Sequence, residues 1–525
     1  MSQVLVASNR GPVSFSLSDD GALTMRRGAG GLVSGLAGIM SRTGTGGGTG
    51  GARGGTGGGA GGGAGGAGRE SAAGETGTRA HAGTEAEAEA PEVLWVCAAL
   101  GEADRAAARH APDGRLDLAG HELGGAAVRM LDIPAATFQR AYNAVANSTL
   151  WFVHHLLYDT PSTPHFDARS RRDWQSYEAY NAAFADALAR DAAPGAKAAV
   201  QDYHLSLTPR MLRDRRPDLK IVHFSHTPWA PPEYYRLLPD DIGERILDGI
   251  LGADHAAFLA DRWAEAFLDC CARLPGVKVD RDARTVTRAG HVTSVGVYGL
   301  GVDGDALRRR AAEPDVAARV AALREQVGDR RLIVRVDRTE LSKNIVRGLA
   351  AYREMLVSHP EWRGRVVHLA FAYPSRHDLP EYREYTAAVQ RMAARISDEF
   401  GTDGWEPLIL QVNDDYPRSL AAYRMADVLL VNPIRDGMNL VAKEGPVVSE
   451  HGCALVLSRE AGAAGELGRN ALVVNPYDVT QTSEALHQAL LMPHDQRAAR
   501  CERLRAAATA LPPQRWFSEQ LAALD

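Results

Sequence analysis

An α/β protein built on parallel sheets is what this 525-residue sequence predicts, and three observations carry the prediction. Short apolar runs recur at 4–7, 93–96, 198–200, 221–224, 332–334, 366–369, 408–410, 428–431 and 454–457, with longer segments of helical pattern between them. Strands that alternate with helices read as βαβ units. The run 428–431, Val-Leu-Leu-Val, has no polar residue and suits a strand covered on both faces. Residues 295–304 are rich in Gly and precede a charged helical stretch, which makes them the candidate crossover between two such units.

The length allows two or three domains, and 45% apolar residues are ample for a core in each. With 59 basic and 65 acidic residues, a formal charge of −6, there is no basic excess to suggest a nucleic acid or an anionic membrane as partner. Cys97, Cys270, Cys271, Cys453 and Cys501 show no CxxC spacing and read as reduced core residues of a cytosolic protein. The first apolar run is too short for a signal peptide, and none approaches the roughly 18 residues of a membrane span, so a soluble, cytoplasmic protein is expected.

Taken in order, the elements place chemistry at strand ends. Residues 4–7 lead into Ser8-Asn9-Arg10-Gly11-Pro12. Arg10 alone reads as a surface residue, but it sits just past a strand end, where open α/β sheets bind ligands. Gly28-Ala29-Gly30-Gly31-Leu32 is a loop entering a helix over 32–40, without the G-x-G-x-x-G and downstream acid of a nicotinamide site. Residues 41–90 form a separate block, with 17 Gly among the first 30, that can build no core; a flexible insertion is expected. Within 138–155, Tyr142 and Trp151 stand nine apart, and packing with one satisfied polar atom is their ordinary reading.

Asp202-Tyr203-His204 and His226-Thr227-Pro228-Trp229 follow two strands and should open into one cleft. His204, His223 and His226 lack the HExxH helix or Cys partners that would make a zinc site. A strand over 332–336 ends at Asp337-Arg338-Thr339-Glu340-Leu341-Ser342-Lys343, two cations placed to face an anion. In Val431-Asn432-Pro433-Ile434-Arg435-Asp436-Gly437-Met438-Asn439-Leu440-Val441-Ala442-Lys443-Glu444, Pro433 and Gly437 break a strand and a helix opens at Met438, running to 449. A helix start leaves N–H groups free for a pyrophosphate or sugar hydroxyls, and Asp436 and Glu444 offer carboxylates to hydroxyl groups. A lone Asp-Gly pair would be an ordinary turn.

That fourteen-residue string resembles, almost letter for letter, the donor-site signature of the trehalose-6-phosphate synthases, and the other segments quoted above extend the resemblance over nearly the whole chain. It implies a GT-B architecture: two doubly wound, Rossmann-like domains facing each other across a cleft, with a disordered Gly/Ala-rich insertion in the first. The division expected is an acceptor-side domain over 1–305, a nucleotide-sugar domain over 306–495 and a helical segment over 496–525 that crosses back. The implied activity is transfer of glucose, with retention, from UDP- or GDP-glucose to glucose 6-phosphate. Arg338 and Lys343 would clamp the donor diphosphate, assisted by Gly31, Asp436, Gly437, Met438, Asn439, Leu440, Val441 and Glu444. Arg10, Tyr142, Trp151 and Arg376 would bind the acceptor phosphate, the Tyr and Trp through O–H and indole N–H. Asp202 would hold acceptor hydroxyls and His226 would contact the transferring glucose.

Three departures from the family pattern lie beside these: Gln201 where many relatives have His, Thr227 and Trp229, which alter the usual His-Ile-Pro-Phe run, and Glu340 where Asp is frequent. No carboxylate pair of the retaining-glycosidase kind stands out. The implied mechanism is front-side substitution, in which the leaving phosphate oxygen takes the proton from the acceptor's 1-hydroxyl and positioning carries the catalysis. No cofactor or metal is implied beyond the nucleotide-sugar co-substrate. A separate trehalose-6-phosphate phosphatase would act next, and a homo-oligomer is left open. Two alternatives stand beside this reading: a relative that couples cyclitols through nitrogen, and a catalytically silent regulatory homologue.

The insertion generates a test. Replacing residues 43–89 by a short Gly/Ser link should leave turnover within about threefold, because loop length enters closure entropy only logarithmically. A steady-state assay of the folded deletion variant that showed a tenfold loss would contradict this.

Overall fold

The computed structural model describes residues 1–17, 23–27, 93–111, 114–118, 126–376 and 378–525. The helix expected over 32–40, Gly31 and the insertion over 41–90 lie outside the described residues.

Among the described residues the strands are β1 (Ser2–Ser8), β2 (Val13–Leu17), β3 (Leu23–Arg27), β4 (Val93–Ala98), β5 (Leu116–Asp117), β6 (Ala126–Leu131), β7 (Ala192–Gln201), β8 (Lys220–Ser225), β9 (His255–Phe258), β10 (Val277–Asp280), β11 (Thr285–Arg288), β12 (His291–Val297), β13 (Arg331–Arg338), β14 (Val366–Tyr373), β15 (Leu408–Gln411), β16 (Val428–Val431), β17 (Ala454–Ser458) and β18 (Leu472–Val474). They form a ten-stranded sheet in the order β10-β11-β12-β9-β8-β7-β1-β4-β6-β5, a six-stranded sheet in the order β15-β14-β13-β16-β17-β18, and the hairpin β2-β3. The second sheet is parallel throughout. The first is parallel from β12 to β6 and antiparallel at its margins. Those margins, and the hairpin, add antiparallel strands that the apolar runs did not indicate. Their strands carry polar residues at alternate positions, as in the Val277–Asp280 run Val-Lys-Val-Asp, and so lack the all-apolar look of a doubly covered strand.

Each sheet winds outward from its centre in both directions. In the first, β1, β4 and β6 proceed one way and β7, β8 and β9 the other, so the order reverses between β1 and β7. In the second it reverses between β13 and β16. The crevice outside the carboxyl ends of strands at such a reversal is where open α/β sheets hold ligands. The residues leaving those four strands are Asn9-Arg10, Asp202, Thr339-Glu340 and Asn432.

A buried cation organises the second reversal. Arg335 is fully buried in β13, yet its guanidinium donates to Asp337 Oδ2 at 2.7 Å, to Asn432 Oδ1 at 3.2 Å and to the Lys343 carbonyl at 3.0 Å. One side chain thus ties β13, the residue after β16 and the turn Leu341–Lys343. The space it fills is kept open by Gly348, where a Cβ would lie 2.2 Å from Arg335 Nη1. Strand β13 also runs to Arg338 itself, two residues further than the apolar run suggested, because Arg335 and Asp337 satisfy each other inside the sheet.

The chain's last helix, Pro513–Ala522, packs on the first sheet: Trp516 is buried with its ring 4.8 Å from Phe224, and Lys197 of β7 donates to the Leu521 carbonyl. All five cysteines are buried and unpaired. No helix among the described residues is long and apolar enough to cross a membrane.

Arg335 supplies a stability test. Arg335→Met keeps much of the volume but leaves Asp337 a buried carboxylate without its cation, which should cost about 3–5 kcal/mol. The double variant Arg335→Met/Asp337→Leu should recover part of that loss in denaturant melts; a single variant as stable as the parent would contradict the role given to this pair.

Candidate functional site

The first sheet contributes a polar and aromatic wall at its reversal. Ser8 Oγ donates to the Arg10 carbonyl at 2.6 Å and accepts from Trp95 Nε1 at 2.7 Å, fixing the turn from which the exposed Arg10 side chain leaves. Arg10 Nη2 lies 3.5 Å from the Tyr142 hydroxyl. Tyr142 stands in the π-helix Arg140–Leu150, whose wider turns often mark functional positions, and its ring stacks on His204 at 5.5 Å. Trp151 opens the next helix, Trp151–His155, with His155 stacked on it at 3.8 Å.

Across the reversal, Asp202 leaves β7 at φ +74, a strained conformation for a non-Gly residue of the kind that persists where function requires it. Its Oδ1 accepts from the His226 N–H at 3.2 Å. Burial pushes the Asp202 carboxyl up to about 7, against the pull of backbone N–H groups and Arg376. Burial likewise pushes the His226 imidazole down to about 3, so the ring is neutral, and Nε2 lies 2.9 Å from Gln201 Oε1.

The second sheet contributes charge. Arg338, the last residue of β13, is half exposed and pairs with Glu340 at 2.9 Å. Lys343, in the turn Leu341–Lys343, reaches Asp436 Oδ2 at 2.5 Å, and Asn439 Nδ2 reaches the same oxygen at 3.1 Å. The following helix is Val441–Val448, so it opens three residues later than expected. The reason is Asn439: it sits at φ +76, outside helical space, and its Oδ1 accepts from the Ala442 N–H at 3.2 Å as a cap. Met438 and Asn439 therefore belong to the turn before the helix, and Leu440 and Val441 mark its start. Lys443 is consumed internally, by Glu466 at 2.6 Å and the Leu300 carbonyl at 2.8 Å. Burial pushes the Glu444 carboxyl up to about 7, against a hydrogen bond from Tyr423.

The two walls meet through one arginine. Arg376, at φ +49 after β14, lays its guanidinium 4.1 Å over the Trp151 ring and donates to Tyr382 at 2.7 Å and Tyr203 at 3.3 Å. Gly437 makes the other contact: a Cβ there would lie 2.0 Å from the His226 carbonyl oxygen, so the turn before the helix abuts the loop after β8. Trp263 Nε1 donates to the Gly437 carbonyl at 2.9 Å, and Arg435 donates to the Trp229 carbonyl at 2.9 Å while lying 4.4 Å over the Trp263 ring.

Of the residues singled out in the sequence, Arg10, Tyr142, Trp151 and Arg376 thus form one cluster, with Asp202 and His226 adjoining. Lys343, Asp436 and Asn439 form a second, and Arg338 with Glu340 a third. Trp151 presents a ring face to Arg376, and its indole N–H is buried without a hydrogen-bond partner. Sequence reasoning missed Tyr203 and Tyr382, which complete the aromatic box around Arg376. Tyr203 lies beside Asp202 and could have been found there; Tyr382 sits in the helix Pro380–Phe400 with no local signal.

A family model described as Glycosyltransferase family 20 matches residues 85–525. A bifunctional trehalose-6-phosphate synthase/phosphatase of Thermoproteus tenax is 35% identical over 388 residues, 73% of this chain and 51% of that protein, so the chain spans about half its length. A trehalose-6-phosphate synthase of Mycobacterium avium is 36% identical over 408 residues, 76% of this chain and 81% of the other. Among solved structures, "Trehalose-6-phosphate from E. coli bound with UDP-2-fluoro glucose" superposes with a TM-score of 0.80 at 26% identity, covering 100% of this chain and 99% of that one.

The raised Asp202 carboxyl generates a signed prediction. A carboxyl whose folded value exceeds its unfolded one stabilises fully below the unfolded value, near pH 4, and that stability is lost as pH rises through about 7. Asp202→Asn should therefore be more stable than the parent at pH 8, with the difference shrinking toward pH 4. Thermal melts across that range check it, and a variant less stable than the parent at pH 8 would contradict the burial argument.

Proposed function

The chain belongs to glycosyltransferase family 20, and from that premise we propose that it transfers glucose from a nucleoside-diphosphate glucose to glucose 6-phosphate, forming α,α-trehalose 6-phosphate with retention. The observation that carries the proposal is the meeting of two cation-bearing strand reversals in one cleft: Arg338 and Lys343 on one wall, Arg10 on the other, and Arg376 reaching between them. Both proposed substrates are phosphates, and each wall offers forked or point-charge donors suited to one of them.

We assign the donor diphosphate to Arg338 and Lys343. Lys343 is already neutralised by Asp436, so a diphosphate gains its charge only by sharing it with that carboxylate. Arg338 is half exposed, with its Nη1 held 2.9 Å from Glu340 Oε1. Fixed cations here lower the energy of charge that builds on the leaving phosphate. We assign the acceptor phosphate to Arg10, Tyr142 and Arg376, with Trp151 and Tyr203 holding the Arg376 plane. Asp202 and His226, linked by a backbone hydrogen bond, are placed to accept from and orient sugar hydroxyls. The neutral His226 orients a hydroxyl without adding charge. In this reading residues 1–305 are the acceptor side, 306–495 the donor side, and the last helix within 496–525 returns to brace β7 and β8. The five free, buried thiols support a reducing, cytoplasmic setting.

Offering UDP-, GDP- and ADP-glucose with glucose 6-phosphate, and measuring diphosphate release and disaccharide phosphate by mass, tests the activity. Arg338→Ala or Lys343→Ala should lower turnover about a hundredfold, as does loss of one transition-state donor elsewhere. Arg10→Ala and Arg376→Ala should instead raise the requirement for glucose 6-phosphate far more than for the nucleotide sugar. Parent turnover in both donor-side variants, or acceptor-side variants that weaken only donor binding, would overturn the assignment.

A further inference from the structure

One buried charged group beside Arg338 and Ser375 has no part in the mechanism just described. Glu340 follows the end of β13 and is fully buried, with 0% of its surface exposed. Its Oε1 lies 2.9 Å from Arg338 Nη1 and 3.0 Å from Ser375 Oγ, the residue before Arg376. Its Oε2 is buried with no hydrogen-bond partner. Its carbonyl accepts from the Lys343 N–H at 3.0 Å, so the same residue caps the turn that carries the second donor-side cation. A buried carboxylate with one oxygen unpaired is costly unless nearby charge compensates it. Here the compensation is ample: although burial pushes its carboxyl up, Arg338, Arg376 and Lys343 together hold it down at about 2, so it is ionised at neutral pH.

We propose that Glu340 is a positioning residue shared by the two anion sites: it aims Arg338, anchors the turn of Ser375 and Arg376, and supplies the counter-charge that lets the diphosphate product leave. The proposal rests on the glycosyltransferase reading and adds a residue to it. The physical reason is the charge change during turnover. A diphosphate set free from its sugar carries more negative charge than the ester it came from, so a site of cations alone would hold the product more tightly than the substrate. A fixed carboxylate touching Arg338 reduces that excess while keeping the guanidinium pointed along one direction. Its contact to Ser375 extends the same constraint to the arginine assigned to the acceptor.

Glu340→Gln tests this, because the amide keeps an oxygen for Ser375 and nearly the same volume while removing the charge. A residue that were merely structural would weaken every ligand when replaced. The proposal expects the opposite split: UDP should bind at least about threefold more tightly in calorimetry, while kcat falls about tenfold or more through loss of Arg338 orientation. Glu340→Asp, which restores the charge one methylene shorter, should return the UDP dissociation constant to the parent value, and a constant equal to that of Glu340→Gln would count against the charge argument. Ser375→Ala, should Glu340→Gln fail to fold, keeps the test open: it should raise KM for glucose 6-phosphate and leave UDP affinity unchanged. UDP binding that is unchanged or weaker in Glu340→Gln, or parent turnover in that variant, would overturn the proposal. If the parent itself released no disaccharide phosphate, the functional reading would fail separately, and the UDP comparison would still decide the role of Glu340.

Discussion

The Arg335 guanidinium, buried without solvent, is the constraint on which the proposed donor wall depends. It joins β13, the residue after β16 and the turn of Lys343 by four hydrogen bonds, two of them to Asp337, at the point where the order of the second sheet reverses. A charge in that position requires its partners, since breaking one side of a buried pair costs far more than the pair contributes. The backbone leaving β13 and β16 is therefore held in one arrangement, and Arg338, Glu340 and Lys343 inherit it. Preorganised charge of this kind needs no reorganisation when a ligand arrives, which is what electrostatic catalysis demands.

The first sheet reaches the same end by different means. Its reversal between β1 and β7 is lined by hydrogen-bonded aromatics in place of a buried ion pair: Tyr180 donates to Asn9 Oδ1 at 2.7 Å, Tyr203 to Asn147 Oδ1 at 2.9 Å, and Tyr142 stacks on His204. Arg376 enters that aromatic setting from the second sheet and is stabilised there by a ring face and two hydroxyl groups. Arg376 is thus borrowed across the cleft, so relative movement of the two sheets would change its contacts with Trp151 and Tyr203 in the proposed acceptor cluster.

Much of this was legible in the sequence because it rests on local pattern. The apolar runs at 428–431 and 454–457 became β16 and β17 with almost unchanged bounds, since a strand covered on both faces has no polar residue to obscure it. Arg338, Lys343 and Asp436 were singled out from the segments at the ends of β13 and β16, and the structure brings Lys343 and Asp436 into contact. The helix start at 441 was not, because it is decided by Asn439 adopting a left-handed conformation, and the Asp-Gly-Met-Asn string does not announce which residue will do so. Strands β10 to β12 were missed because half of their side chains are polar. The partnership of Arg376 with Trp151, Tyr203 and Tyr382 is a tertiary fact: the four residues come from separate elements, and spacing along the chain carries no trace of it.

Diffraction from crystals grown with UDP and glucose 6-phosphate together measures the central claim, that two strand reversals present their cations to two different phosphates in one cleft. The account predicts diphosphate density contacted by Arg338 and Lys343, and a separate phosphate contacted by Arg10, Tyr142 and Arg376, with Arg376 still lying over Trp151. A glucose 6-phosphate found on the Arg338 wall, or a diphosphate bound without contact to either Arg338 or Lys343, would contradict it.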